Sequence, residues 1–247
     1  MYRYVNVISE GRTESDFVKN VLSAHLINYG VIASPSRLPT GRGSAGINKG
    51  GWRRTDGYKF ALEQVRKMII TRADVTYTTL FDFYGFPNDI PCYNEAKELQ
   101  SPYAKVELYE DRIKKDVCAL LAEEKKFNSD LFIPYVQPYE FESFLFVDPK
   151  CTASVFYDRD TSKALKLENE IRKIASGVPS PEHINEHQDT APSKRIEKLV
   201  PGFVKNKAGR AGLSWKVPQR VGIDVLRQSC KHFDKWLSRL EALGGSI

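Results

Sequence analysis

Cysteine and histidine are scarce in this chain, with four of each among 247 residues. None of Cys92, Cys118, Cys151 and Cys230 belongs to a CxxC pair, which argues against a thiolate zinc site and makes them reduced, packing-type thiols of a cytosolic protein. His183 and His187 have i,i+4 spacing but no third ligand in view, and His232 is expected to pack beside Phe233 and Trp236. No apolar run approaches the roughly 20 residues that span a bilayer. The opening MYRYVNVISEGRTE lacks the charged and then apolar order of a secretory signal. Together these absences predict a cytoplasmic protein with no membrane partner.

What is present supports a sizeable core. Apolar residues make up 41%, with 13 Phe and 12 Tyr, so disorder is excluded and one large domain, with or without a small appendage, is expected. The net charge of +6 is unevenly spread. Residues 1–70 carry +6, residues 71–190 carry −8 and residues 191–247 carry +8. Basic ends around an acidic middle suit a polyanion held against a metal-binding centre, although solvated helix faces would give the same counts.

Residues 2–9 alternate as a strand, and Thr13 then reads as a helix N-cap with Asp16 three residues on. The helix that follows places Phe17, Val18, Val21, Leu22, His25, Leu26 and Tyr29 on one face. Strands are predicted near 31–38, at 75–83 and at 131–137, the last with an edge or bulge at Pro134. Helices are predicted over 58–72 and 103–127, the second with Val106, Tyr109, Ile113, Val117 and Leu120 inward. Five glycines in 39–51 make that stretch a loop. The β-α alternation over 1–150 predicts an α/β domain, a mostly parallel sheet with flanking helices. Beyond it, a charged helix at 163–176, a linker at 177–192 and a helix with Leu226, Cys230, Phe233, Leu237 and Leu240 on one face form a helical extension over 151–247 that packs on it.

Ligands of open α/β sheets collect at the carboxyl ends of the strands. Three predicted strands end there in acids: Glu10, Asp82, and the pair Glu140 and Glu142. Converging carboxylates repel one another, so such a group persists chiefly where a cation neutralises it, and hard oxygen donors select Mg²⁺ or Mn²⁺. Glu14 either joins the group or complements the helix dipole, and Asp16 is read as capping. Alternation is expected to point only one of Glu140 and Glu142 inward. Removing Asp82 from a repelling, metal-free cluster is expected to leave stability level or raised.

GRGSAG at 41–46 matches GxGxxG, but it neither follows the first strand nor opens an apolar helix, so a dinucleotide site is rejected. The stretch reads instead as a basic loop in which Arg37, Arg42, Lys49, Arg53 and Arg54 grip phosphates and Trp52 stacks a base. Lys194 and Arg195, after Ser193 at a predicted helix start, make a second phosphate-binding candidate.

EGRTE, FDFYGFP, PYEFESFLFVDP, APSKRI and CKHFDKWLSRLEAL, in that order, resemble a Toprim-like bacterial domain-of-unknown-function family, often encoded beside an ABC/SMC-type ATPase in anti-phage defence loci and related to the overcoming-lysogenisation-defect nucleases. The resemblance spans nearly the whole chain. It implies a Toprim-like, Rossmann-like fold and a metal-dependent nuclease that uses Mg²⁺ or Mn²⁺. It implies DNA, RNA or tRNA and an ATPase as partners, with a homodimer as one possible assembly. Glu10 matches the family's Glu and Asp82 the first Asp of its Asp-x-Asp. Tyr84 stands where the second Asp belongs, so Glu140 or Glu142 is needed to complete the set, or the site binds metal weakly. A non-catalytic partner that regulates the ATPase is the alternative that Tyr84 favours.

Overall fold

A computed structural model describes residues 2–39, 42–43, 46–47, 57–72, 74–122, 124, 127–185, 188–205 and 209–245. The chain opens with β1 (Arg3–Ser9), α1 (Arg12–Phe17) and α2 (Ser23–Leu26), then β2 (Val31–Arg37). The two helices are one rod, joined through a π turn at Val18–Leu22. Gly11, in extended conformation, and not Thr13, stands at its N-cap; Thr13 is already helical. The glycine-rich loop carries a minimal hairpin, β3 (Arg42–Gly43) antiparallel to β4 (Gly46–Ile47), where no element was expected.

Next come α3 (Tyr58–Thr71), β5 (Thr76–Asp82), α4 (Tyr93–Glu98) and α5 (Pro102–Leu120). Helix α5 stops well short of residue 127. Leu120 is exposed, and Leu121, four residues after Val117, takes the inward position. The last predicted strand is split at Pro134, which has no N–H to give a ladder, into β6 (Phe132–Ile133) and β7 (Val136–Gln137). The remaining helices are α6 (Pro149–Phe156), α7 (Thr161–Ala175), α8 (Pro192–Leu199), α9 (Lys216–Val221), α10 (Ile223–Ser229) and α11 (Lys231–Glu241).

The five-stranded sheet is parallel, in the order β2-β1-β5-β6, with β7 also pairing with β5 beyond the Pro134 break. Period-two alternation sorts its side chains onto two cores. Ile8, Tyr77 and Phe81 face α3 and α5, whereas Val5, Val7 and Leu80 face Phe17, Leu22 and Leu26 of the first helical rod and Leu226, Phe233, Leu237 and Leu240 of α10 and α11. The C-terminal helices thus complete the second face of the sheet, and Trp236 Nε1 donates to Thr78 Oγ1 of β5 at 2.8 Å. A third cluster, around Leu145, Phe156, Ile171, Ile196 and Phe203, unites α6, α7 and α8.

The predicted linker is partly built structure. Glu182, fully buried, accepts the N–H groups of His232 and Phe233 in the first turn of α11, both at 3.0 Å. His232 itself stacks on Tyr135 and meets Glu110 Oε1 at 2.8 Å through Nε2. His183 bonds Ser180, and His187 lies outside the described residues. Among the described residues no helix is long and apolar enough to cross a membrane.

Candidate functional site: a carboxylate cluster closed by a lysine

The parallel register, with Ser9 opposite Leu80, carries β1 and β5 to the same edge of the sheet and sets Glu10 beside Asp82. Glu10 Oε1 accepts the Asp82 N–H at 3.0 Å. Its other oxygen lies against Gly85, where an added Cβ would stand only 2.4 Å away. Glu14, in the first turn of α1, is 7% exposed and comes equally close to Gly11, with 2.6 Å from its Oε2 to an imagined Cβ there. The sequence therefore keeps glycine at both positions where backbone crowds a carboxylate of this cluster.

Both Glu140 and Glu142 enter the cluster, against the expectation that alternation would admit only one. The reason is local. The chain leaves β7 through Tyr139, whose φ of 58° makes it the one non-glycine in the left-handed region among the described residues. It then turns into a 3₁₀ segment, Phe141–Phe146, instead of continuing as a strand. Glu140 Oε2 accepts the Ser193 N–H at 2.8 Å, and Asp82 Oδ1 accepts the Phe141 N–H at 2.7 Å.

The centre of the group is a residue that the sequence reading passed over. Lys205 Nζ lies 2.7 Å from Asp82 Oδ2, 2.8 Å from Glu142 Oε2 and 3.1 Å from Glu140 Oε1. It lies in irregular backbone over 201–205, far along the chain from the three acids its ammonium meets, so neither periodicity nor spacing signals it. Its backbone N–H is tied to Glu197 Oε1 at 3.2 Å.

Five acids gather around one ammonium, and burial sets which of them keep their protons. Burial pushes the Glu14 carboxyl up to about 8, reinforced by Asp82 and Glu142. Burial likewise lifts Glu142 to about 7, with Lys205 pulling the other way. Asp82 also rises through burial, partly offset by Lys205. For Glu140 burial acts upward too, but Lys205 and the Ser193 amide outweigh it and its pKa falls below the usual carboxylate value. Burial opposes charge on Lys205, yet Asp82, Glu142 and Glu140 overcome it and hold the ammonium protonated. Two buried oxygens, Glu14 Oε2 and Glu142 Oε2, have no hydrogen-bond donor; the 2.8 Å approach of Lys205 to the latter is an ion pair out of line for a hydrogen bond.

The donors, all acidic oxygens, match a hard divalent cation. Their arrangement suits an ammonium instead: among the described residues no three His, Cys, Asp or Glu groups stand as a ready metal sphere. The ion pair also revises what removal of Asp82 does, because its loss takes a partner from Lys205 and not merely a repelling charge from the cluster.

The basic candidates do not gather here in the same way. Lys194 is half exposed and pairs with Glu197 at 2.7 Å, and Arg195 Nε donates to Thr190 O at 2.8 Å. Helix α8 starts at Pro192, with Ala191 and not Ser193 at its cap; the Ser193 N–H is already used by Glu140. Arg42 contributes backbone to the β3–β4 hairpin, whereas Lys49, Trp52, Arg53 and Arg54 lie outside the described residues. A basic feature beside the acids was legible in the sequence only through Arg37. Arg12, Lys19 and Arg37, all exposed, line an open groove of about 450 Å³ with Ser15, Asp16 and Pro35. Arg12 is two residues from Glu10 and pairs with Asp16 at 3.4 Å, which gives Asp16 an ion-pair role in place of a capping one.

Tyr84, at the position of the expected second Asp, donates its backbone N–H to Tyr139 O at 3.0 Å and sets its ring 5.4 Å from the Tyr139 ring. Burial, with Tyr139 adding, raises its hydroxyl to about 12.

Comparison with curated proteins and with solved structures found no significant match to either. A family model does match, over residues 9–241, and its span takes in the five clustered carboxylates and Lys205; the chain belongs to the family described as a domain of unknown function, DUF4276.

Proposed function

We propose that this protein is a metal-dependent nucleic-acid phosphodiesterase, an endonuclease using Mg²⁺ or Mn²⁺. The observation that carries this reading is the gathering of partly buried Glu10 with buried Glu14, Asp82, Glu140 and Glu142, in which Glu14 Oε2 has no hydrogen-bond donor and Glu142 Oε2 meets only the Lys205 ammonium. A fold gains nothing from burying acids so incompletely satisfied unless a ligand completes them. Glu10, Asp82 and Glu142 are the proposed catalytic set, with Glu14 and Glu140 as further ligands. A divalent ion bound there would supply charge neutralisation and Lewis acidity at a phosphodiester.

The chain's own residues do the rest. Asp82 is fixed by the Phe141 amide and Glu140 by the Ser193 amide, so both present an oriented oxygen. The groove of Arg12, Lys19 and Arg37 runs up to the same edge and suits a phosphate backbone. Arg42, Lys49, Arg53, Arg54, Lys194 and Arg195 are proposed to extend that contact. The Toprim-like resemblance places such an enzyme in the cytoplasm as an anti-phage effector, alone or as a homodimer, beside an ABC/SMC-type ATPase.

A second reading has its own support. Tyr84 in place of a second Asp, and a lysine that pairs with three of the acids, both suit a non-catalytic partner that binds nucleic acid or regulates the ATPase. Cleavage assays on DNA, RNA and tRNA with Mg²⁺ and Mn²⁺ separate the two. Metal-dependent cleavage that disappears in Asp82→Asn supports the enzyme; absence of cleavage on every substrate overturns it.

A further inference from the structure

The carboxylates have the chemistry of a divalent-metal site but the spacing of an ion pair, and one residue accounts for the difference. Resting on the reading of the cluster as a metal site, we infer that Lys205 is an internal plug: its ammonium fills the cation position and must withdraw before a divalent ion can bind.

Three observations lead there. First, Nζ touches Asp82, Glu140 and Glu142 at 2.7, 3.1 and 2.8 Å, so it takes one oxygen from each of three acids. A divalent ion sharing those oxygens, at about 2.0–2.6 Å from each, would come within roughly 3 Å of Nζ. Two cations at that separation in a buried site repel strongly, so occupancy by one excludes the other. Second, Lys205 leaves the cluster unfinished. Glu14 Oε2 remains without a partner, and the ammonium pairs with neither Glu14 nor Glu10. A divalent ion can therefore compete for the position.

Third, the anchorage of Lys205 lets the side chain move while the backbone stays. Phe203, two residues earlier, is buried against Phe156 at 5.9 Å between ring centres, and the Lys205 N–H is held by Glu197. The side chain is a flexible four-carbon stem, and at 19% exposure it already reaches the surface, so withdrawal needs rotamer changes and no unfolding.

The consequence is a site that stays folded and closed when metal is scarce. Its apparent affinity is lowered by the fraction of molecules in which Lys205 occupies the cluster.

The test uses the wild-type protein and Mn²⁺ alone. Brief acetylation with and without saturating Mn²⁺, read by mass spectrometry, reports access to each lysine, with exposed Lys166 as the internal control. The expected result is at least a fivefold faster modification of Lys205 with Mn²⁺, at unchanged Lys166, on the order of the population change that displacement requires. Mn²⁺ binding measured by calorimetry with no gain in Lys205 labelling overturns the plug and leaves the metal site standing. No Mn²⁺ binding at all overturns both. Lys205→Met provides the companion measurement: if folded, it should bind Mn²⁺ roughly tenfold more tightly than wild type, and equal or weaker binding counts against the plug.

Discussion

Two regions of this molecule bury carboxylates, and they treat them in opposite ways. At the start of α11, Glu182 is fully buried and each of its oxygens receives a backbone N–H. Nearby, Glu110 Oε1 serves both the Val136 N–H and His232. At the carboxyl edge of the sheet three of the five acids share one lysine, and Glu14 Oε2 has no donor. A buried acid that is finished by the fold is structural, because its charge is stabilised by donors that belong to the chain. One that is left unfinished costs stability in the ligand-free protein and keeps coordination capacity for something else.

The sharpest way to break this contrast is to exchange the expected phenotypes. Glu182→Ala strands two buried N–H groups of a helix terminus and should cost at least about 3 kcal/mol in urea unfolding, with Mn²⁺ affinity unchanged. A stable Glu182→Ala protein that lost Mn²⁺ binding would put the functional centre in the wrong region. Asp82→Asn keeps an acceptor for the Phe141 N–H but turns its NH₂ toward the Lys205 ammonium and removes that ion pair, so it should cost about 1–3 kcal/mol, while Mn²⁺ affinity, read by calorimetry, drops at least about tenfold. An unaltered affinity would make the edge cluster as structural as Glu182.

The pH dependence of stability sharpens the contrast further. Glu14 is raised to about 8 and Glu142 to about 7, against the ordinary 4.5. A carboxyl raised on folding holds its proton in the native state where the unfolded chain has lost it. Its contribution is thus fully present below the unfolded value and fades as pH climbs through the folded value. Without metal, the Tm should therefore decline as pH is raised from about 4.5 to 8 and level off above, and Glu14→Gln should flatten that decline. A rising Tm over the same range would show the cluster fully ionised and neutralised by other means. The smallest effect is steric. Gly85→Ala places a methyl 2.4 Å from Glu10 Oε2, so the carboxylate must shift, at a cost of about 1 kcal/mol and with weaker Mn²⁺ binding. Unchanged binding would remove Glu10 from the ligand set.

Much of this architecture could be read in advance because its physics is periodic. The alternation of β1 and β5 and the i,i+4 faces of α5 and α11 fix the parallel sheet and its covering layers, and the sheet in turn fixes Glu10 and Asp82 at one edge. What escaped depends on aperiodic backbone. Glu140 and Glu142 both turn inward because Tyr139 adopts a left-handed conformation, which its side chain does not advertise. Lys205 reaches the acids from an irregular loop, so only the folded chain brings them together. Glu182 hides in a stretch whose Pro, Ser and Asn content reads as linker, although its side chain caps a helix some 50 residues on. Thr13 looked like an N-cap, yet the helix begins two residues earlier than that cap implies, after a glycine that can lie against Glu14.

The π turn at Val18–Leu22 sets the phase between the two halves of the first helical rod. Ahead of it, Glu14 is aimed at the acid cluster; behind it, Leu26 is aimed at the sheet's second face. A π turn accommodates one residue more than the regular α-helix, so it offsets the azimuth of everything before it by about 100° relative to everything after. Deleting a single residue there would restore an unbroken α-helix and leave the apolar face of α2 in place, while rotating Glu14 about a quarter-turn off its target. The rod therefore works as a keyed shaft: packing seats one end, and the irregular turn independently indexes the acid at the other.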